Sequence, residues 1–122
     1  MSFEQFHSTF LTLETSGPTL VARITRPRLS EEDNLEEMGQ DLQSLIDHHQ
    51  CRQLVLNLET VQFITSAALG KLITLHRRIH RKAGRLILCH AQGSVADVLQ
   101  TTQLINYFTV APDAQQALAM YV

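Results

Sequence analysis

Residues 54–70 read Leu54-Val55-Leu56-Asn57-Leu58-Glu59-Thr60-Val61-Gln62-Phe63-Ile64-Thr65-Ser66-Ala67-Ala68-Leu69-Gly70. The nearly continuous apolar run at 54–58 is typical of a strand that is buried on both faces of a sheet. After a short connection, the apolar pair Phe63-Ile64 is predicted to anchor a tight turn. Two hydroxyl residues, Thr65 and Ser66, then lie where a helix begins. This stretch therefore predicts a central strand that runs through a loop into a helix, with Ser66 exposed at the helix N-terminus.

Helices and strands continue to alternate after Ser66. The inner face of this second helix comprises Leu69, Leu72, Ile73, His76 and Ile79. Gly84 is predicted to terminate the helix. The later elements are a strand at 85–90, a helix that opens at Gly93-Ser94, a short strand at 108–110 and a last helix from 114 to about 121. Ser94 and Asp97 have the spacing of a capping box for the third helix.

The chain before the central strand predicts a hairpin. Residues 10–14 alternate apolar and polar side chains, and residues 19–24 form a second apolar strand. The Gly17-Pro18 pair between them is a turn signal, so the two strands are expected to pair antiparallel. Residues 26–28 are predicted to form a loop.

A first helix is predicted between the hairpin and the central strand. Ser30 is a suitable N-cap, and the acidic residues at 31–33 suit the positive end of the helix dipole. Its inner face comprises Leu35, Met38, Leu42, Leu45, Ile46 and His49. Strand and helix alternation implies right-handed crossovers between parallel strands. The expected fold is a single α/β domain over 1–122, with a mixed, mostly parallel sheet of about five strands, an N-terminal hairpin and about four helices.

Composition limits the function. The formal net charge is −2 and the pI is near 6.3, which argues against a nucleic-acid-binding protein because such proteins carry a basic excess. No apolar run approaches the roughly 20 residues of a membrane span, and the N-terminus lacks the features of a signal peptide. The chain is therefore expected to be cytoplasmic, without a membrane partner.

Metal and redox chemistry find little support in the pattern. Cys51 and Cys89 are not in a CxxC pair and are expected to be free thiols at opposite ends of parallel strands. His76 and His80 have a spacing that suits metal binding, but Arg77, Arg78, Arg81 and Lys82 surround them and disfavour a cation. The basic run at 76–82 is interpreted as a solvated helix end rather than a surface for RNA or an acidic partner.

An enzyme is also disfavoured by the sequence. It contains neither a GxSxG elbow nor a P-loop glycine pattern. A phosphate-accepting receiver domain would need acidic residues at the ends of its first and central strands, where this chain has Ile24-Thr25 and Asn57-Leu58-Glu59. We therefore expect a binding module with no cofactor and no catalytic residues.

The central stretch resembles the signature of the STAS domain family. That signature has a strand, Asn/Asp-Leu, a few residues, Phe-Ile-Asp-Ser-Ser-Gly-Leu-Gly and then a helix. The matching residues are Asn57-Leu58-Glu59 and Phe63-Ile64-Thr65-Ser66-Ala67-Ala68-Leu69-Gly70. Element order and spacing extend the resemblance over roughly residues 10–121, and the resemblance is to the anti-sigma-factor-antagonist type.

The resemblance implies a switch that acts by partner exchange. It places the phosphorylation site at Ser66, with Thr65 as a weaker candidate. The implied partners are an anti-sigma factor that is also a serine kinase of the histidine-kinase-like ATPase type, and a serine/threonine phosphatase. The implied partner-binding residues are Thr65, Ser66, Ala67, Ala68, Leu69, Asn57 and Glu59. The alternative is a STAS scaffold or small-ligand-binding module in a signalling complex that is not phosphorylated.

Three positions depart from the family pattern. Thr65 replaces the usual Asp, which removes a negative charge beside the acceptor serine. Ala67 replaces the second Ser, and Ala68 replaces Gly. Alanine is a better helix former than glycine, so the helix is expected to tolerate Ala68, although its methyl group limits how closely a partner approaches.

Overall fold

A computed structural model describes residues 6–30 and 35–121. The described residues form an α/β fold whose main sheet has five strands in the order β1-β2-β4-β6-β7. The main-sheet strands are β1 (Leu11–Ser16), β2 (Thr19–Ile24), β4 (Gln53–Asn57), β6 (Arg85–Cys89) and β7 (Thr109–Ala111). The helices are α1 (Leu35–Asp47), α2 (Ser66–Arg81), α3 (Gly93–Thr101) and α4 (Ala114–Ala119). The predicted fold class is confirmed.

The N-terminal hairpin forms as predicted. Strands β1 and β2 pair antiparallel, with Leu11 opposite Ile24 and Ser16 opposite Thr19. Gly17 makes the turn with φ of 57°, a left-handed conformation that glycine adopts without strain. The strands from β2 to β7 are parallel, as the crossovers through helices require.

The two faces of the sheet are covered unequally. Leu54 and Leu56 of β4 lie in the larger core, which also holds the apolar sides of α1, α2 and α3. The alternate residue Val55 packs in a smaller cluster with Ile87 of β6 and Ala117 of α4. Because successive side chains of a strand point to opposite faces, the continuous apolar runs of β4 and β6 fill both cores.

Two short strands were not predicted. The segment taken as a loop contains β3 (Arg28–Leu29), and the apolar pair forms β5 (Phe63–Ile64). They pair in parallel, with Arg28 opposite Phe63 and Leu29 opposite Ile64. Two-residue strands carry no periodic pattern of their own, so pairing between segments 35 residues apart is visible only in the fold.

Two predicted helix boundaries need correction. Ala83, rather than Gly84, takes the left-handed conformation after α2, with φ of 62°. Gly84 is needed for space, because a Cβ there would lie 2.6 Å from the Arg52 carbonyl oxygen. Ser94 was predicted to cap α3, but Gln92 occupies the N-cap position. The Ser94 hydroxyl instead donates a hydrogen bond to the Gln62 carbonyl. The acidic residues expected to begin α1, at 31–33, lie outside the described residues.

The inner faces of the first two helices are largely as predicted. Leu35, Met38, Leu42, Leu45 and Ile46 of α1 are buried. In α2, Leu75 is buried although it was not among the predicted inner residues. Ile73 and His76, which were expected inside, are only half-buried. No helix of the described residues is both long enough and apolar enough to cross a membrane.

Candidate functional site

Helix α2 begins at the carboxyl edge of the sheet, and its first residue is Ser66. Thr65 is the N-cap: its side-chain oxygen accepts a hydrogen bond from the amide of Ala68 at 3.2 Å, and its carbonyl accepts one from Leu69. Ser66 is exposed to solvent. Its hydroxyl therefore lies beside the unpaired amides and positive dipole of a helix N-terminus, an environment that favours a bound anion.

Thr65 is constrained in a way that Ser66 is not. Besides capping α2, the Thr65 hydroxyl donates to the Leu29 carbonyl at 3.3 Å, and the Thr65 amide donates to the same carbonyl at 3.0 Å. Phosphorylation of Thr65 would remove the proton that the hydroxyl donates to the Leu29 carbonyl. The Thr65 hydroxyl is therefore engaged within the domain, whereas Ser66 is exposed. These contacts also explain how threonine serves where the family has Asp, since both residue types are N-caps.

The segment just before Ser66 is held from two sides. The amides of Gln62 and Phe63 donate to the Pro27 carbonyl at 2.7 and 3.1 Å. On the other side, Ser94 of α3 donates its hydroxyl to the Gln62 carbonyl. Strand pairing and these bonds make residues 62–65 an ordered part of the surface, so a partner would meet a preformed surface at Ser66.

Phe63 is a surface residue that the sequence interpretation placed wrongly. The pair Phe63-Ile64 was expected to anchor the turn, but Ile64 alone is buried and Phe63 is 41% exposed. The Arg28 guanidinium lies 4.8 Å from the centre of the Phe63 ring, a cation–π contact. The signal that was available is alternation: in a strand, consecutive side chains point to opposite faces.

Asn57 and Glu59 form a structured turn at the end of β4. The Asn57 side-chain oxygen accepts a hydrogen bond from the Glu59 amide at 2.9 Å. Glu59 pairs with Arg23 of β2 at 3.2 Å, and it also lies 3.5 Å from Nδ1 of His90. Arg23 in turn donates to the Thr60 hydroxyl. Sequence reasoning singled out Asn57 and Glu59 but missed Arg23, which lies in β2, and His90, which directly follows β6.

Two of the predicted partner-binding residues are not on the surface. Ala67 is exposed beside Ser66, as expected. Ala68 and Leu69 are 0% and 4% exposed, because α2 turns these positions onto the sheet. The structure therefore corrects the prediction for both side chains, and the Ala68 methyl group cannot obstruct a partner.

His76, His80, Cys51 and Cys89 are the residues that the sequence raised for metal or redox chemistry. Within residues 6–30 and 35–121, no three His, Cys, Asp or Glu side chains are grouped so that they could hold a metal ion. His76 and His80 stack with ring centres 6.3 Å apart, and His76 packs against Tyr107 at 4.7 Å. Both cysteines are buried free thiols, and burial raises the pKa of each to about 11.

Comparisons of this chain with a protein-family model and with known proteins point to the same family. The STAS domain family matches residues 8–117. BtrV of Bordetella bronchiseptica, whose name describes it as a candidate anti-sigma factor antagonist, is 26% identical over 88 residues, which cover 72% of this chain and 75% of BtrV.

Solved structures share the fold. An anti-sigma-factor antagonist (STAS) domain protein from Planctomyces limnophilus superposes with a TM-score of 0.79 and 22% identity, over 92% of this chain and 97% of that protein. SpoIIAA of Bacillus in its phosphorylated form has a TM-score of 0.68 and 21% identity, over 92% of this chain and 99% of its own. The unphosphorylated form of SpoIIAA superposes with a TM-score of 0.67 and 19% identity, over 91% of this chain and 96% of that protein.

Proposed function

Because this chain belongs to the STAS domain family, we propose that it is an anti-sigma-factor antagonist controlled by phosphorylation of Ser66. In the unphosphorylated state it binds an anti-sigma factor that is also a serine kinase, of the histidine-kinase-like ATPase type. Phosphorylation of Ser66 releases that partner, and a serine/threonine phosphatase restores binding. The chain regulates transcription through this exchange and catalyses no reaction itself.

The observation that carries the proposal is the position of Ser66. It is the first residue of α2 and is exposed, next to a capping threonine whose own hydroxyl is engaged. The names of relatives agree with this role: BtrV is described as a candidate anti-sigma factor antagonist, and SpoIIAA, an anti-sigma factor antagonist, has been solved with and without its phosphate.

The physical effect of the phosphate is local in this proposal. A phosphoserine carries about −1.5 to −2 charges at neutral pH. At a helix N-terminus this charge is favourable, so the domain stays folded. Docking would have to desolvate the phosphate against a surface that fits a neutral serine. Such a cost of several kcal/mol corresponds to roughly a thousandfold loss of affinity.

The chain need not activate the serine itself. Phosphoryl transfer depends mainly on positioning and on metal ions and charges around ATP. The kinase supplies those groups, whereas this chain supplies an accessible hydroxyl on an ordered surface. The surface around it offers Ala67, Phe63, Asn57 and Glu59 to the same partner.

Phosphate mapping and partner capture test the proposal together. Incubation with the cognate kinase and ATP should add a single phosphate, located at Ser66 by tandem mass spectrometry. Ser66→Ala should abolish it and should retain the kinase in a pull-down. Ser16→Ala is the matched control, because Ser16 is an exposed serine of the hairpin that lies opposite Thr19 at the start of β2, and this variant should be phosphorylated like the wild type.

Other outcomes would contradict the proposal. A phosphate that persists in Ser66→Ala would move the site elsewhere. Absence of any phosphate, together with a large stable complex in size-exclusion chromatography, would favour the alternative of an unphosphorylated STAS scaffold or small-ligand-binding module.

A further inference from the structure

We propose that the end of the domain opposite Ser66 is a second docking surface, which takes an acidic segment of a protein partner. Six of the ten Lys and Arg residues of the chain lie at this end, which we call the basic end. They are Arg52, Arg77, Arg78, Arg81, Lys82 and Arg85. Four of them lie in or directly after the last turns of α2, Arg52 directly precedes β4, and Arg85 begins β6.

The fold assembles the basic end from segments that are separate in the sequence. The basic run at 76–82 alone was interpreted as the solvated end of one helix. In the structure, the Arg85 amide donates to the Arg52 carbonyl at 2.7 Å, so the starts of β4 and β6 lie side by side. His80 of α2 lines the same cavity as these two arginines. The cations of the helix and of the two strands therefore form one surface.

Few acidic side chains balance the charge of the basic end. Arg78 pairs with Asp47, at the end of α1, at 2.5 Å. Among the described residues, no carboxylate oxygen lies within 4.0 Å of the charged nitrogens of four exposed cations, which are Arg77, Arg81, Lys82 and Arg85. An acidic partner would supply such carboxylates, and the arginine guanidinium binds them with two parallel hydrogen bonds.

The spacing of the cations on α2 does not serve the helix itself. Arg77 and Arg81 lie four positions apart, and so do Arg78 and Lys82. Like charges at this spacing are neighbours on the helix surface and destabilise it. The helix dipole favours cations only in the last turn, and Arg77 lies before that turn. Binding of acidic side chains from outside the domain accounts for an arrangement that the stability of α2 does not.

Two exposed apolar side chains border the basic end. Tyr107 and Met120 are 41% and 40% exposed. The Tyr107 ring packs on His76 of α2 at 4.7 Å, and the Met120 carbonyl accepts a hydrogen bond from the Arg85 guanidinium at 3.5 Å. Arginine, tyrosine and methionine are enriched in protein–protein interfaces. This composition, together with the net charge of −2 for the chain, favours a protein segment over RNA or an anionic membrane.

A partner at the basic end would leave Ser66 accessible. Helix α2 has 16 residues from Ser66 to Arg81 and is therefore about 24 Å long. Two partners can bind at its opposite ends without competing for the same surface. The inference therefore does not depend on phosphorylation of Ser66.

An NMR titration of the ¹⁵N-labelled chain with a synthetic peptide that alternates glutamate and leucine tests this inference. We expect saturable shifts at the amides of Arg81, Arg85 and Met120, and an affinity that falls as salt is added. Arg81→Gln should weaken binding about fivefold. Arg26→Gln is the matched control, because it removes the same charge from an exposed arginine outside the basic end and should leave the affinity unchanged. If Arg81→Gln fails to fold, Lys82→Gln gives the same comparison.

Two further peptides separate charge from apolar contact. Replacing every glutamate of the peptide by glutamine should abolish saturable binding, and replacing every leucine by serine should weaken it. Undiminished binding of either peptide would contradict the inference. The absence of saturable shifts at millimolar peptide, or equal weakening by Arg81→Gln and Arg26→Gln, would overturn it. Tighter binding of an RNA oligonucleotide or of phosphatidylglycerol vesicles than of the acidic peptide would also overturn it, since the surface would then serve a nucleic acid or a membrane.

Discussion

The side-chain oxygen of Thr65 accepts a hydrogen bond from the amide of Ala68 at 3.2 Å, one residue before the exposed Ser66. The residue that holds the helix N-terminus and the residue proposed to carry the phosphate are thus neighbours with different roles. Thr65 orders the start of α2, and Ser66 presents its hydroxyl to solvent.

Removing the cap should therefore cost stability. We expect Thr65→Ala to lower the free energy of unfolding by about 1 kcal/mol. Thr65→Asp restores a capping oxygen and adds a negative charge at the positive end of α2, but it cannot donate to the Leu29 carbonyl, so it should be more stable than Thr65→Ala. Urea denaturation measures both. Ser66→Ala, as control, should stay within about 0.5 kcal/mol; a Thr65→Ala variant as stable as this control would show that the cap contributes nothing.

Replacing Gly84 and replacing Gly70 by alanine should change the stability of the domain in opposite directions. A Cβ at Gly84 would lie 2.6 Å from the Arg52 carbonyl oxygen and 2.7 Å from Cγ1 of Ile79. We expect Gly84→Ala to destabilise the domain by about 2 kcal/mol through this crowding. A Cβ at Gly70 meets no neighbouring atom within 4 Å, so Gly70→Ala should stabilise α2 by about 0.5–1 kcal/mol. Thermal or urea denaturation of both variants measures these changes. A Gly84→Ala variant as stable as the wild type would contradict the close approach of Gly84 to the Arg52 carbonyl.

Stability should depend on the protonation of His76. Burial lowers the pKa of His76, and the nearby His80 lowers it further. Its neutral form is favoured in the folded state, so this contribution is present above the unfolded pKa of about 6.5 and is lost as pH falls through the lower folded pKa. Between about pH 7 and pH 5, the wild type should lose more stability than His76→Phe, whose ring can pack on Tyr107 and Phe108 without titrating. An NMR titration placing the His76 pKa above about 6.5 would contradict this.

The two thiols should be unreactive in the folded protein. Both cysteines are 0% exposed, and burial raises the pKa of each to about 11. Since the thiolate is the reactive form, iodoacetamide at neutral pH should leave Cys51 and Cys89 unmodified, as measured by intact mass. Both should be alkylated in denaturant, which serves as the positive control. Rapid alkylation of either one under native conditions would show that its surroundings open to solvent.

Much of the fold could be predicted because its signals are local. The alternation in residues 10–14, the Gly17-Pro18 turn and the apolar run at 54–58 each reflect one element, and all were located to within one or two residues. The helix start at Ser66 was also predicted, because N-capping depends on neighbouring residues.

Other features of the site depended on residues distant in the chain. Arg23 reaches Glu59 from β2 and His90 reaches it from the residue that follows β6. Phe63 lies in β5, which pairs with β3 from a distant part of the chain, and its side chain is exposed. The burial of Ala68 and Leu69 follows from how α2 lies on the sheet, and the need for Gly84 comes from the carbonyl of Arg52, 32 residues earlier.

The amino-acid sequence alone determined the order of the main-sheet strands and the four helices, the α/β class and the serine at the start of α2, because hydrophobic periodicity and capping act over a few neighbouring residues. Only the tertiary structure decided which side chains around Ser66 face solvent and that β3 pairs with β5. Both depend on packing between segments that the chain brings together from a distance, and no local pattern encodes those contacts.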